Sequence, residues 1–168
     1  MKWKALKNKN GISNATLEKQ IKSLNLSHFR GVFSVDRLPV HLFASKKPIS
    51  VVCNLSKSSY SPGTHFVSLI SDGKTLLYLD PAGMAPFQKY IFELVKISGL
   101  KMFYNKKRYQ NKFSVYCGYY CTMFVVLYDS RWPWKWNDKL KGFAKNDKKT
   151  NDAKVIANLN KMTRLLKK

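Results

Sequence analysis

The stretch Thr64–Gly83, THFVSLISDGKTLLYLDPAG, sets the frame for the rest of the chain. Two β-rich runs flank Asp72-Gly73, a strong two-residue turn signal, so the segment predicts a β-hairpin. If the loop is centred on that dipeptide, Leu69 faces Leu76, Val67 faces Tyr78 and His65 faces Asp80. Opposed residues share one face of the ribbon, with Cβ atoms about 4.5–5.5 Å apart. An imidazole opposite a carboxylate at that range can donate a hydrogen bond to it, which fixes its tautomer and raises its basicity. An exposed strand-end pair with no role is the plainer alternative.

Outward from the hairpin the pattern alternates between strand and helix. Upstream, ISVVCNL after Pro48 reads as a buried strand, with Cys53 a small core residue. Ser13 or Asn14 caps a helix with Leu17, Ile21 and Leu24 on one face, and the first eleven residues read as a loose basic tail. Downstream, PFQKYIFELVKISG reads as a helix with Pro86 in its first turn, a stripe from Phe87 to Val95, and Gly99 at its end. Leu100 to Tyr104 reads as a strand. A basic loop leads to an apolar run, Gly118 to about Tyr128, which predicts a central buried helix. A Trp-rich loop, Arg131 to Trp136, follows. The last predicted helix covers 151–166, with Val155, Ile156, Leu159, Met162, Leu165 and Leu166 inward. Together these predict one α+β domain over 1–168, a central buried helix on a mixed, mostly antiparallel sheet, with flanking helices.

The head of the central helix carries the second signal. In SVYCGYYCTMF, Cys117 and Cys121 lie four apart, Cys117 just before Gly118. A metal site, a buried structural pair and a reactive thiol on a helix N-terminus all compete for this pattern. Metal fits poorly: a zinc site needs four ligands, and His28, His41 and His65 show no paired spacing. Three cysteines, an odd count, also argue against a disulfide framework. A thiolate at a helix N-terminus is stabilised by unpaired amides and the helix dipole, and a nearby imidazolium helps further. On this reading Cys121 is buried filler, and Gly118 leaves room for a substrate backbone. Gln110, seven residues before Cys117, can join the Cys117 amide in holding an oxyanion, though a glutamine in a basic loop is ordinarily just solvated.

Charge is the loudest bulk feature. The 168 residues hold 31 Lys and Arg against 9 Asp and Glu, a net +22. Such a surface attracts polyanions, nucleic acid above all, although a solvated lysine-rich surface gives the same count. Trp132, Trp134 and Trp136 beside Arg131 and Lys135 can stack bases, or simply pack the loop. No apolar run is long enough to span a bilayer and no signal core follows Met1, so the expected location is intracellular, with no membrane partner.

The order His65, Asp80, Gln110, Cys117, with Q-x6-C-G-x-x-C-x-M-F at its end, resembles the adenovirus protease (adenain) family of cysteine endopeptidases. GTHFVSLI resembles that family's histidine strand, with Phe66 where Trp is common; LLYLDPAG resembles its acidic strand, with Asp80 where Glu is frequent. GISNATLEKQIKSLNLSHFRGVFSVDRLP resembles its N-terminal helix and following turn, and WPW and the final helix also fit. The resemblance implies an adenain-like fold and a catalytic set of Cys117, His65, Asp80 and Gln110, with no cofactor or metal needed for the chemistry. It implies maturation of viral or element-encoded structural precursors at Gly-containing sites, in the virion and the host nucleus or cytoplasm. It also implies stimulation by nonspecific DNA and by a short activating peptide. No cysteine lies between Asp80 and Gln110 to link such a peptide, so it would bind noncovalently or elsewhere. Shortness and lysine richness point to a Maverick/Polinton-type element or related DNA virus, and a monomer is expected. Proteases of ubiquitin-like modifiers share the residue order but usually place Asp before the cysteine and Trp after the histidine; here Tyr116 and Phe66 stand there. A basic nucleic-acid-binding protein with an inactive site is the non-enzymatic alternative.

Overall fold

The structure is a computed structural model and describes residues 2–6, 11–59, 65–128 and 148–166. The Trp-rich loop expected at 131–136 lies outside the described residues. Five strands form one sheet in sequence order: β1 (Phe29–Ser34), β2 (Ile49–Asn54), β3 (Phe66–Ser71), β4 (Thr75–Leu79) and β5 (Lys101–Tyr104). The sheet is mixed as expected, with antiparallel β2–β3 and β3–β4 ladders and parallel β1–β2 and β4–β5 ladders, so the two kinds divide evenly.

Helices cover both faces. On one side lie α1 (Asn14–Lys22), α4 (Cys117–Leu127) and α5 (Lys148–Leu165), whose core residues join Val52, Phe66, Ile70 and Leu79. On the other, α2 (Val40–Ala44) and α3 (Lys89–Ser98) pack Phe43, Ile91 and Leu94 on Val51, Val67, Leu69, Leu76 and Tyr78. β3 therefore alternates strictly, odd residues to one layer and even residues to the other, as a strand buried on both faces must. All eleven residues of α4 are buried, matching a helix that is apolar all round. Ser68 Oγ donates to the Cys121 carbonyl at 3.1 Å, fixing α4 on β3.

The hairpin register differs from expectation by two residues. Ser71 pairs with Leu76 and Leu69 with Tyr78, leaving a four-residue loop from Asp72 to Thr75. The cause is local: Asp72 Oδ1 accepts from the amides of Lys74 (2.9 Å) and Thr75 (2.7 Å) and from the Thr75 hydroxyl. This side-chain turn holds two more residues out of the ladder than a two-residue loop would. A two-residue slip keeps every side chain on its own face. Extended to the open end, it places Asp80 opposite Val67, two positions inside His65, rather than directly opposite it.

One strand is not announced by the sequence, and three expectations are corrected. β1 was hidden because Gly31, at φ 145°, and a ladder irregularity between Phe29 and Val32 break its alternation. Residues 2–6 are no loose tail. Trp3 is 2% exposed, its Nε1 donates to Thr163 Oγ1 at 2.9 Å, and its backbone N and O both bond the Asn160 side chain. One buried indole outweighs the lysines around it. α3 starts at Lys89 rather than near Pro86, leaving Phe87 60% exposed, and in α5 Leu165 is exposed rather than inward.

Candidate active site

The site forms at the open end of the β3–β4 hairpin. His65 immediately precedes β3 and Asp80 immediately follows β4, so sheet pairing alone brings them to one edge. His65 Nε2 lies 2.8 Å from Asp80 Oδ1, and the carboxylate is fully buried. The same oxygen accepts from the Ala82 amide at 2.6 Å, and Oδ2 has no partner among the described residues. A buried carboxylate with one cationic neighbour holds that neighbour firmly.

Cys117 opens α4 as its first residue, and its side chain is near enough to His65 to help raise the ring's pKa. With Nε2 committed to Asp80, Nδ1 is the ring nitrogen left for the sulfur. Burial alone would lower the His65 pKa, but the hydrogen bonds and charges of Asp80 and Cys117 overcome it and push the ring up to about 9. The other two thiols differ in kind. Cys53 and Cys121 are fully buried and burial pushes both well above the usual thiol range. All three cysteines are free. Cys121, one turn from Cys117, packs inside the helix layer, as the sequence predicts.

Gln110 stands in the wall of the same corner. The amides of Tyr109 and Gln110 both donate to the carbonyl of Pro81, next to Asp80, at 2.9 and 3.2 Å. Its side chain is buried, its Oε1 has no partner, and its Nε2 makes no hydrogen bond among the described residues. A buried amide left in this condition has donor capacity to spare.

Two positions that hold the corner are not evident from residue type alone. Asn105 Oδ1 accepts from the Asp80 amide (2.7 Å), while its Nδ2 donates to the carbonyls of Asp80 (2.7 Å) and Lys107 (2.8 Å). Gly83, at φ 70°, lets the Asp80 turn touch the 107–108 backbone: a Cβ there would sit 2.8 Å from Arg108 N. The run Asp-Pro-Ala-Gly was a signal for that turn; Asn105 carried none. Gly118 has a different use from the one expected. A Cβ there would sit 2.9 Å from Ile12 and 3.0 Å from Leu17, so the missing side chain admits α1, not a substrate.

No group of His, Cys, Asp or Glu among the described residues is arranged to hold a metal ion, and no described helix is long and apolar enough to cross a membrane. The arrangement brings together a thiol at a helix head, an imidazole bonded to a buried carboxylate, and a buried amide in the adjoining turn, the residue types that thiol-dependent acyl transfer uses.

No protein-family model and no curated protein sequence matches the chain. Solved structures do. The ASFV pS273R protease superposes with a TM-score of 0.60 at 12% identity, covering 89% of this chain and 67% of that one. The SUMO protease Ulp1, in a form with its catalytic cysteine oxidised to a sulfenic acid, gives 0.50 at 13% identity, covering 95% and 78%. At such identities the likeness is one of architecture: this chain has the fold of these proteases.

Proposed function

We propose that the protein is a cysteine endopeptidase with Cys117 as nucleophile. The observation that carries this is the 2.8 Å His65–Asp80 pair with Cys117, the first residue of a buried helix, beside the ring. The Cys117 sulfur attacks the scissile carbonyl carbon while His65 Nδ1 holds the thiol proton; an imidazolium beside a sulfur favours the thiolate. The oxyanion accepts from the Cys117 backbone N–H and the Gln110 amide. His65 then gives its proton to the leaving amine, and the C–N bond breaks to leave a thioester. Water attacks the thioester, passes a proton to His65 and releases the acid and the free thiol. Asp80 keeps the ring in the tautomer this sequence needs.

The favoured substrates are structural precursor proteins of a DNA virus or mobile element, cut at Gly-containing sites. The net charge of +22 supports DNA as a docking surface that concentrates enzyme and substrate. The match to a viral protease at TM-score 0.60 supports the same reading. A ubiquitin-like modifier is the second substrate class, supported by the Ulp1 likeness. Cleavage of a Gly-Gly peptide library and of a modifier fusion, each with and without duplex DNA, separates them. The expected result is peptide cleavage, stimulated by DNA, lost in Cys117→Ala and largely kept in Cys121→Ala. Full activity in Cys117→Ala would end the proposal.

A further inference from the structure

Six residues, Asn111 to Tyr116, separate the Gln110 amide from the Cys117 sulfur, and none lies in a helix or strand. Such a segment holds two groups in reacting geometry only if something outside it fixes both ends. The first turns of α5 do this. Asp152 faces this segment: Asn111, directly after Gln110, and Ser114 both act to hold its carboxyl pKa down against the burial that raises it. Ser114 Oγ in turn accepts from the Tyr116 amide at 3.1 Å, directly before Cys117. The same carboxylate accepts from the Tyr120 hydroxyl of α4 at 3.0 Å. Its neighbour Asn151, fully buried, donates from Nδ2 to the Tyr109 carbonyl at 2.9 Å, on the other flank of Gln110. Tyr120 also lies 3.4 Å from that carbonyl, but its single proton goes to the closer, charged acceptor.

Resting on the peptidase reading, we infer that Asp152 is a positioning residue for the oxyanion site. The start of α5 thereby spans the site: Asn151 holds the backbone just before the amide donor, and Asp152, facing the segment that follows, is fixed to the nucleophile helix through Tyr120. Removing it leaves Cys117 and His65 where they are, because their contacts run through β3, β4 and α4. What changes is the placement of Gln110 against the developing oxyanion.

Two reactions of the same sulfur separate this role from general support. Alkylation by iodoacetamide needs the thiolate but forms no oxyanion; peptide hydrolysis needs both. Asp152→Ala should lower kcat for a Gly-Gly peptide about 10- to 100-fold, with KM and the alkylation rate of Cys117 each changed less than about twofold. Because Asp152 acts through Gln110, the double variant Gln110→Ala/Asp152→Ala should be no slower than Gln110→Ala. Tyr120→Phe and Asp152→Asn, each of which keeps the packing, should show the same selective loss in smaller degree, so the proposal stays testable if Asp152→Ala does not fold. Unchanged kcat in all three variants, multiplicative losses in the double variant, or alkylation falling in step with hydrolysis would overturn the positioning role alone. A wild-type chain that cleaves nothing, or cleaves equally as Cys117→Ala, would overturn the peptidase reading and this inference with it.

Discussion

The two ends of the β3–β4 hairpin are built on opposite principles. The closed end is held by neighbours in sequence: Asp72 Oδ1 takes the amides of Lys74 and Thr75, and Ser71 Oγ takes the amide of Gly73. The open end is held from a distance. His65 and Asp80 are fifteen residues apart, Asn105 reaches Asp80 from twenty-five residues away, and Cys117 arrives on a different element. Local bonds make a turn that forms by itself; distant ones make a corner that exists only when the domain is folded. The proposed chemistry sits at the end that needs the whole fold.

Breaking the distant clamp should therefore cost more than breaking the local one. Asn105→Ala frees both backbone groups of Asp80 and the Lys107 carbonyl. We expect kcat to fall about 100-fold as Asp80 and His65 drift from the sulfur, and stability to fall about 1–3 kcal/mol. Steady-state cleavage and urea unfolding measure the two. Cys117 alkylation should slow as well, unlike in the Asp152 variants.

The open end also carries a pH signature. His65 rises from 6.5 to about 9 in the folded protein, so the folded state binds this proton more tightly than the unfolded state. Its stabilisation is fully present below about pH 6.5 and is lost as pH rises through about 9. The loss across that window is on the order of 3 kcal/mol at most. Removing the thiol in Cys117→Ala should flatten the slope in part, because Cys117 supplies part of the shift, and His65→Gln should remove this contribution entirely. Unfolding titrations at fixed pH values read this directly. Cleavage should likewise fall above about pH 9, where His65 no longer carries the proton the leaving amine needs.

The smallest effect belongs to the closed end. Asp72→Ala should destabilise by about 1 kcal/mol, because the bonds it loses are solvent-exposed, with kcat unchanged. A large loss of activity there would mean that the two ends are coupled through the ribbon.

The same contrast explains what was legible in the chain. Asp72-Gly73 announced the hairpin, and Ser13 and Gly99 announced a helix start and a helix end, because each signal is local. His65, Asp80 and Cys117 could be brought together from sequence because pairing across one turn fixes two of them and the helix head fixes the third. The exact register escaped, since the Asp72 side chain, not the Asp-Gly dipeptide, sets the loop length. β1 escaped because Gly31 interrupts its pattern, and Trp3 escaped because its partners, Asn160 and Thr163, lie at the far end of the chain. Asn105 and Asp152 look like ordinary loop and helix-start residues until the fold shows what they touch. Gly118 was assigned to a substrate because α1 could not be foreseen against it.

The central claim is that one sulfur of three is activated, and that His65 activates it. Limiting iodoacetamide applied to the folded chain, with the labelled cysteine identified by peptide mass and its rate followed against pH, tests this most directly. The account predicts labelling of Cys117 alone, slowed at least tenfold in His65→Ala, with Cys53 and Cys121 silent until the chain unfolds. Equal labelling of Cys121, or a Cys117 rate indifferent to His65, would contradict it.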